Sequence, residues 1–177
     1  IKKPIDAIKN GIAYVTEDRK GEGLVLPMSI AHNTTLPSMQ ELSNNVFIKS
    51  LEEKTKTEKI LSELKVKMAS SKLAVKNLSG GNQQKVVLAK WMMKDPDVII
   101  FDEPTRGIDV GAKAEIYKLM NEFVAKGKAI IMISSEMPEA MGMSDRILVI
   151  SNHKLSGEFN RDEFSQDSIM TMAMRYM

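Results

Sequence analysis

Apolar residues recur along this chain in two rhythms. Short apolar runs stand at Gly11–Thr16 (GIAYVT), Val98–Phe101 (VIIF) and Ala129–Ser134 (AIIMIS). Runs of this length suit strands covered on both faces, the habit of parallel sheets. Elsewhere the spacing is helical. Ile60, Leu61 and Leu64 share one face of a segment opened by Ser50 and Glu53, which read as a capping box, with Glu52/Lys56 and Glu63/Lys67 spaced to pair. Ser79 reads as the N-cap of a helix running to about Met93 and closed by Lys94, Asp95 and Pro96. Ile116, Leu119, Met120 and Phe123 predict another helix, ended by Gly127.

Ile147–Ile150, a turn through Ser151–Lys154, and Leu155–Phe159 predict a hairpin, and Arg161 to about Met174 a last amphipathic helix. Glu17–Gly23 (EDRKGEG) reads as a polar loop leaving the first strand. No strand pattern is legible from there to about Ser71, so the stretch from about Leu24 to Lys94 reads as a helical insertion. Strand, helix, strand and hairpin in this order predict an α/β fold with a mostly parallel sheet. Three segments result: a strand and loop over 1–23, a helical subdomain over 24–94, and a core over 95–177.

Composition narrows the class. The chain has 177 residues, 43% hydrophobic and 27% charged, enough for one globular domain with an inserted subdomain. A net charge of +2 predicts no strong attraction to nucleic acid or membrane. No cysteine is present, which suits a reducing cytoplasm and removes thiolate metal sites. The apolar runs are far shorter than the ~20 residues a membrane helix needs, so a membrane link would go through a partner. The chain opens at Ile1 with neither initiator Met nor signal-type segment, which predicts a piece of something longer. Its 14 methionines are expected to fill the core, with some on a docking surface.

Two stretches carry chemistry. In NLSGGNQQK (77–85), Ser79, Gly80 and Gly81 offer a hydroxyl and two unobstructed N–H groups at a helix start, a phosphate cradle by construction. In VIIFDEPTRGID (98–109), Asp102 and Glu103 stand at the carboxyl end of a strand, the edge where open α/β sheets bind ligands. An aspartate there can hold Mg²⁺ through water while the next carboxylate orients or deprotonates an attacking water. As mere caps, adjacent acids would do neither.

NLSGGNQQK followed by VIIFDEPTRGIDVGAK resembles the signature motif, Walker B strand and D-loop of ATP-binding cassette (ABC) ATPases, a branch of the P-loop NTPase fold. YVTEDRKGEGLVL and ISSEMPEAMGMSDRILVI extend the resemblance over nearly the whole chain, toward monosaccharide importers of the ribose, galactose, xylose and arabinose kind. In that subfamily one polypeptide carries two fused cassettes, and this chain looks most like the later part of the second, closest to the ribose type. The resemblance implies the energising subunit of a sugar importer, using ATP and Mg²⁺ on the cytoplasmic face of the membrane. Its partners would be the permease's transmembrane subunits, the first cassette of the same polypeptide and, indirectly, a sugar-binding protein.

It also implies roles. Ser79, Gly80 and Gly81, with Asn82 where many cassettes have Gln, would touch a γ-phosphate held by the opposite cassette. Asp102 would serve Mg²⁺, Glu103 would be the catalytic carboxylate, and Asp109 would reach across the dimer. Glu17 takes the place of the Q-loop glutamine, and Ser135 that of the switch histidine; a hydroxyl cannot take the imidazole's charged role. His32 and His153 read as surface or turn residues.

A Walker A motif is absent from these residues. The one Gly-Lys pair, Gly127-Lys128, is followed by Ala129 and preceded five positions earlier by Glu122. The chain is therefore expected to begin after that motif and to be inactive alone. Two other classes compete: a cassette ATPase of DNA repair or chromosome structure, disfavoured because no sustained heptads occur, and a non-catalytic module that only lends its signature.

Overall fold

The computed structural model describes residues 1–44 and 47–177, and these divide into two compact units, Ile1–Ile131 and Met132–Met177. In the first unit a short helix α1 (Pro4–Lys9) leads into β1 (Ile12–Val15), followed much later by β4 (Val98–Asp102), and both belong to a three-stranded sheet ordered β1-β4-β5 with β5 at Ala129–Ile133. β1 and β4 are parallel, pairing Ala13 with Ile99 and Val15 with Phe101. Those four side chains form the buried face of the sheet.

The opposite face is uncovered by the described residues, contrary to the expectation from the apolar runs. β4 alternates between buried and half-buried positions, and on β1 and β5 Tyr14 and Ile131 are 44% and 54% exposed. Continuous apolar runs thus stand on strands whose second face is only half-buried or exposed among the described residues.

Between β1 and β4 lies the helical insertion: α2 (Ile30–Thr35), α3 (Ser50–Glu63) and α4 (Gly80–Met92), packed on one another. Ile30, Leu61, Val75 and Val86 are fully buried among them. Buried Asn33 fixes the approach to α2, its amide accepting from Val25 N–H at 2.8 Å and donating to Val25 O and Ser29 O at 3.1 and 3.0 Å. A two-residue pairing of β2 (Ser43–Asn44) with β3 (Phe47–Ile48) interrupts the helices, where the sequence shows no strand pattern.

Three local expectations are corrected. Ser50 is the first residue of α3 and Lys49 its uncapped N-cap, because the Glu53 carboxylate accepts from Thr35 Oγ1 at 2.9 Å and closes no capping box. Lys67 lies beyond the end of α3, so Glu63 pairs with Lys59, while Glu52 and Lys56 do pair at 2.8 Å. Glu17–Gly23 is not a plain loop: Arg19–Gly23 form a single π-helical turn, capped by the Asp18 carboxylate accepting from Gly21 N–H at 2.9 Å.

Helix α4 is enclosed continuously from Gln83 to Lys90. After β4 comes α5 (Val110–Val124), whose Ile116, Met120 and Phe123 face the core and which ends in a left-handed Gly127 at φ +80°. Met120 is the one methionine fully buried among the described residues.

In the second unit, α6 (Met137–Met143) precedes an antiparallel hairpin of β6 (Arg146–Ser151) and β7 (Lys154–Asn160), turned by Asn152 and His153 at positive φ. α7 (Gln166–Ala173) starts later than its apolar pattern predicts, because Arg161–Glu163 form a separate 3₁₀ turn and Ser165 caps the helix. Ile147, Val149 and Ile169 make its small core with Phe159, Phe164 and Met172.

Ile99→Ala, on the covered face of β4, is expected to lower the unfolding free energy by about 2–5 kcal/mol. Ile131→Ala, on the open face, should lower it by about 1 kcal/mol or less. Urea unfolding of both variants checks the assignment of faces.

Candidate functional site

Three chain reversals in the unit Ile1–Ile131 carry the candidate residues. The first is the start of α4. Ser79 has the extended backbone of an N-cap (φ −62°, ψ 158°), yet its side chain caps nothing. Its Oγ accepts instead from Asn82 Nδ2 at 2.9 Å, and Asn82 Oδ1 accepts from Lys67 N–H at 2.7 Å. The opening amides of α4 thus lack the side-chain acceptor that an N-cap normally supplies. At α5 the reverse holds: Asp109 is the N-cap and accepts from Ala112 N–H at 2.9 Å.

The two helix starts converge on a cleft of about 280 Å³ to which Ser79, Gly81, Asn82 and Asp109 contribute. Lys85 and Glu115 brace it between α4 and α5, their charged atoms 2.6 Å apart, with Lys85 almost wholly buried and Glu115 half exposed. Lys85 also donates to Lys65 O at 3.1 Å. The ammonium holds the Glu115 carboxyl below its ordinary value.

Bare backbone at 81 is demanded by packing as well as suited to a ligand, and at 80 it leaves room for a guanidinium. A Cβ at Gly81 would stand 2.7 Å from the Ala112 methyl, and one at Gly80 2.9 Å from a nitrogen of the Arg19 guanidinium.

The second reversal is the end of β4. Asp102 is the last residue of the strand, and Tyr14 Oη donates to its Oδ2 at 2.6 Å, a bond that raises the phenol above its ordinary pKa. Glu103 follows at φ +48°, in the left-handed region where a non-glycine residue stores strain of the kind found at functional sites. Arg106 N–H closes the turn on Glu103 O at 3.1 Å, and Gly107 continues it at φ +67°. Among the described residues no three His, Asp or Glu gather as a metal cage. One strand-end carboxylate beside another suits a hard cation that keeps most of its ligands as water or phosphate oxygens.

The third reversal is the turn after β1. Glu17 is exposed and pairs with the Arg106 side chain. Arg19 donates to Arg106 O and Gly107 O at 3.0 and 3.2 Å. Ser135 lies in the second unit, exposed before α6, next to Ser134, whose hydroxyl donates to Glu139 at 2.5 Å. His32 is exposed and His153 sits in the hairpin turn, as expected.

Sequence reasoning missed Tyr14, Arg19, Lys85 and Arg106. Tyr14 could have been suspected from its place on the uncovered side of an apolar strand. The others are ordinary charges in polar company, and their partners lie 20 or more residues away.

The ABC transporter family description matches residues 2–106. The chain is 56% identical over 173 residues to the ribose import ATP-binding protein RbsA of Oceanobacillus iheyensis, covering 98% of this chain and 35% of that protein. To the xylose import ATP-binding protein XylG of Thermoanaerobacter pseudethanolicus it is also 56% identical, over 98% of this chain and 34% of the relative. It therefore spans about a third of the length of these curated relatives.

Among solved structures, MJ1267, an ATP-binding cassette of an ABC transporter, superposes with a TM-score of 0.77 at 22% identity, over 98% of this chain and 72% of that one. A post-hydrolysis dimer of the cassette MJ0796 bound to ADP and Pi gives 0.72 at 20% identity, over 88% and 65%. At such identities the likeness speaks to the fold alone. No helix among the described residues is long and apolar enough to cross a membrane.

Glu115→Gln is expected to lower stability at pH 7 by about 1 kcal/mol, since Glu115 is half exposed and buried Lys85 keeps its bond to Lys65 O. Because the folded carboxyl titrates below the unfolded one, the contribution is present above about pH 4.3 and is lost as pH falls through the depressed folded value. Urea midpoints of wild type and variant should therefore differ at pH 7 and draw together as the pH falls below that range.

Proposed function

The chain belongs to the ABC transporter family, and on that premise we propose that it is part of the ATP-hydrolysing subunit of a monosaccharide importer. The observation that carries this reading is the start of α4, where the Ser79 hydroxyl leaves the helix amides without a side-chain acceptor beside two bare glycines. The names of the ribose and xylose import relatives support the sugar, and the ATPase activity is proposed for the longer polypeptide.

In this reading the cradle serves a nucleotide bound by a partner cassette. Ser79 Oγ and the N–H groups of Gly80 and Gly81 receive a γ-phosphate that arrives from outside, and the partial positive charge of the α4 N-terminus favours it. Asn82, already bonded to Ser79, holds the hydroxyl in place. Asp109 gives its carboxylate to the α5 amide at Ala112 and contributes to the same cleft from the other helix.

Asp102 and Glu103 serve the nucleotide on this cassette. Asp102 would hold Mg²⁺ through water, and the ion, when bound, neutralises charge on the phosphates. Tyr14 fixes one oxygen of Asp102, and Glu103 orients the attacking water and accepts its proton. Glu17, at the Q-loop position, pairs with Arg106 at the surface. The segment 24–94 would dock on a cytoplasmic helix of the permease, placing the subunit at the inner face of the membrane. The +2 charge gives no reason to invoke nucleic acid.

Ser135 cannot supply a charged contact at the switch position, so the two composite sites are unequal. The site completed by this chain's signature hydrolyses ATP, and the site built on Glu103 binds more than it turns over. In the full polypeptide, Ser79→Ala should remove most of the ATPase activity, a loss of about a hundredfold, while Glu103→Gln should cost about threefold or less. Equal losses would overturn the asymmetry. Calorimetry of the 177-residue chain with MgATP should give neither heat of binding nor turnover; micromolar binding with turnover would overturn the role assigned to a partner's phosphate loop.

A further inference from the structure

We propose that Arg19 is a positioning residue whose guanidinium joins the turn after β1 to both the α4 cradle and the loop after Glu103, so that the three shift together. The inference rests on the reading of Ser79–Gly81 as a phosphate clamp and deepens it by naming what sets the clamp's position.

One nitrogen of the guanidinium donates to Arg106 O at 3.0 Å and the other to Gly107 O at 3.2 Å, so the fork closes over a single chain reversal. The same end of the side chain lies against Gly80, where an added Cβ would come within 2.9 Å of it. Nε is buried and has no hydrogen-bond partner among the described residues, so the group is held by the two carbonyl bonds and by its contact with Gly80. Charge-assisted bonds from a planar fork are stronger than neutral ones and fix an orientation. A lysine, a single point charge, cannot bridge two carbonyls with the same geometry.

The far end of the turn is fastened to the same helix. Lys90, buried in α4, donates to Gly23 O, and a Cβ at Gly23 would meet Val87 at 3.2 Å. Arg19–Gly23 therefore grip α4 near its first turn and again near its last. Lys20, Gly21 and Glu22, at the crest between the two grips, are exposed. A force applied at that crest is delivered through Arg19 to the backbone of Gly80 and of residues 106 and 107. The Glu17–Arg106 pair is exposed at both ends and adds little to this linkage.

The test uses the full polypeptide carrying Arg19→Met, which keeps bulk and removes the fork, and Arg19→Lys, which keeps charge. Amide hydrogen exchange is followed over 79–84 and 104–109, with the hairpin 146–160 as an internal control. The proposal expects exchange to rise about tenfold in both stretches for Arg19→Met, less for Arg19→Lys, and not at all in the hairpin.

Exchange within about twofold of wild type in either stretch overturns it, and so does a rise that includes the hairpin, which would mark general destabilisation. If Arg19→Met fails to fold, Arg19→Lys is judged by the same criteria. In parallel, kcat for ATP should fall about tenfold with KM changed less than about twofold, because a mispositioned clamp affects closure rather than nucleotide loading. Altered exchange in a wild-type background that hydrolyses no ATP overturns the ATPase reading and leaves Arg19 its role. Unaltered exchange with active wild type overturns the role of Arg19 alone.

Discussion

Helix α4 must be buried and must also end in a site, and the surrounding structure follows from reconciling the two. From Gln83 to Lys90 it has no side open to water. Two lysines and two glutamines lie in that stretch, and buried polar groups need partners. Lys85 finds Glu115 and Lys65 O, Lys90 finds Gly23 O, and Gln83 Nε2 reaches Val75 O while its Oε1 has no partner among the described residues. Each partner belongs to a different neighbouring segment, so satisfying the helix fixes α5, the end of α3, the turn after β1 and the approach to α4 itself. The helix behaves as a fixed shaft, and what emerges at its N-terminus is placed by the whole unit.

The two chemical ends of this unit are built by opposite means. The cradle uses backbone stripped of side chains, with a serine whose hydroxyl is diverted from capping by Asn82. The end of β4 uses acidic side chains on backbone that is partly strained, with Asp102 steadied by Tyr14 across the parallel pair β1 and β4. Bare amides present dipoles without a titrating group, whereas adjacent carboxylates present charge that a cation or a proton must balance. On the proposed reading, the first character suits a phosphate clamp and the second a hydrolytic centre.

What the sequence disclosed and what it withheld divide along the range of the interactions. The strands VIIF and AIIMIS, the helix start at Ser79 and the hairpin turn at Asn152 and His153 are written in neighbouring residues, and they were legible. The capping box at Ser50 and Glu53 was locally plausible but lost to Thr35, 18 positions away from Glu53. The pairing of Glu63 with Lys67 failed because α3 stops first. The π turn at Arg19–Gly23 depends on the Asp18 side chain accepting two amides, a choice that polar loops make without a sequence period. Arg19 itself was unreadable, because its acceptors are backbone carbonyls 87 and 88 residues later and any residue type carries a carbonyl.

The close approach of α4 and α5 bears on how sequences related to this one can change. The Ala112 methyl occupies the space a side chain at 81 would need, so glycine there is a requirement of folding before any ligand arrives. A lineage that abandoned nucleotide chemistry but still had to fold would keep Gly81, and would admit a larger residue at 81 only after giving up the methyl at 112. The Asp102 carboxylate, by contrast, is tied to the fold by an exposed hydrogen bond from Tyr14. On the proposed reading, drift at Asp102 would therefore register a loss of activity before Gly81 showed any sign of it.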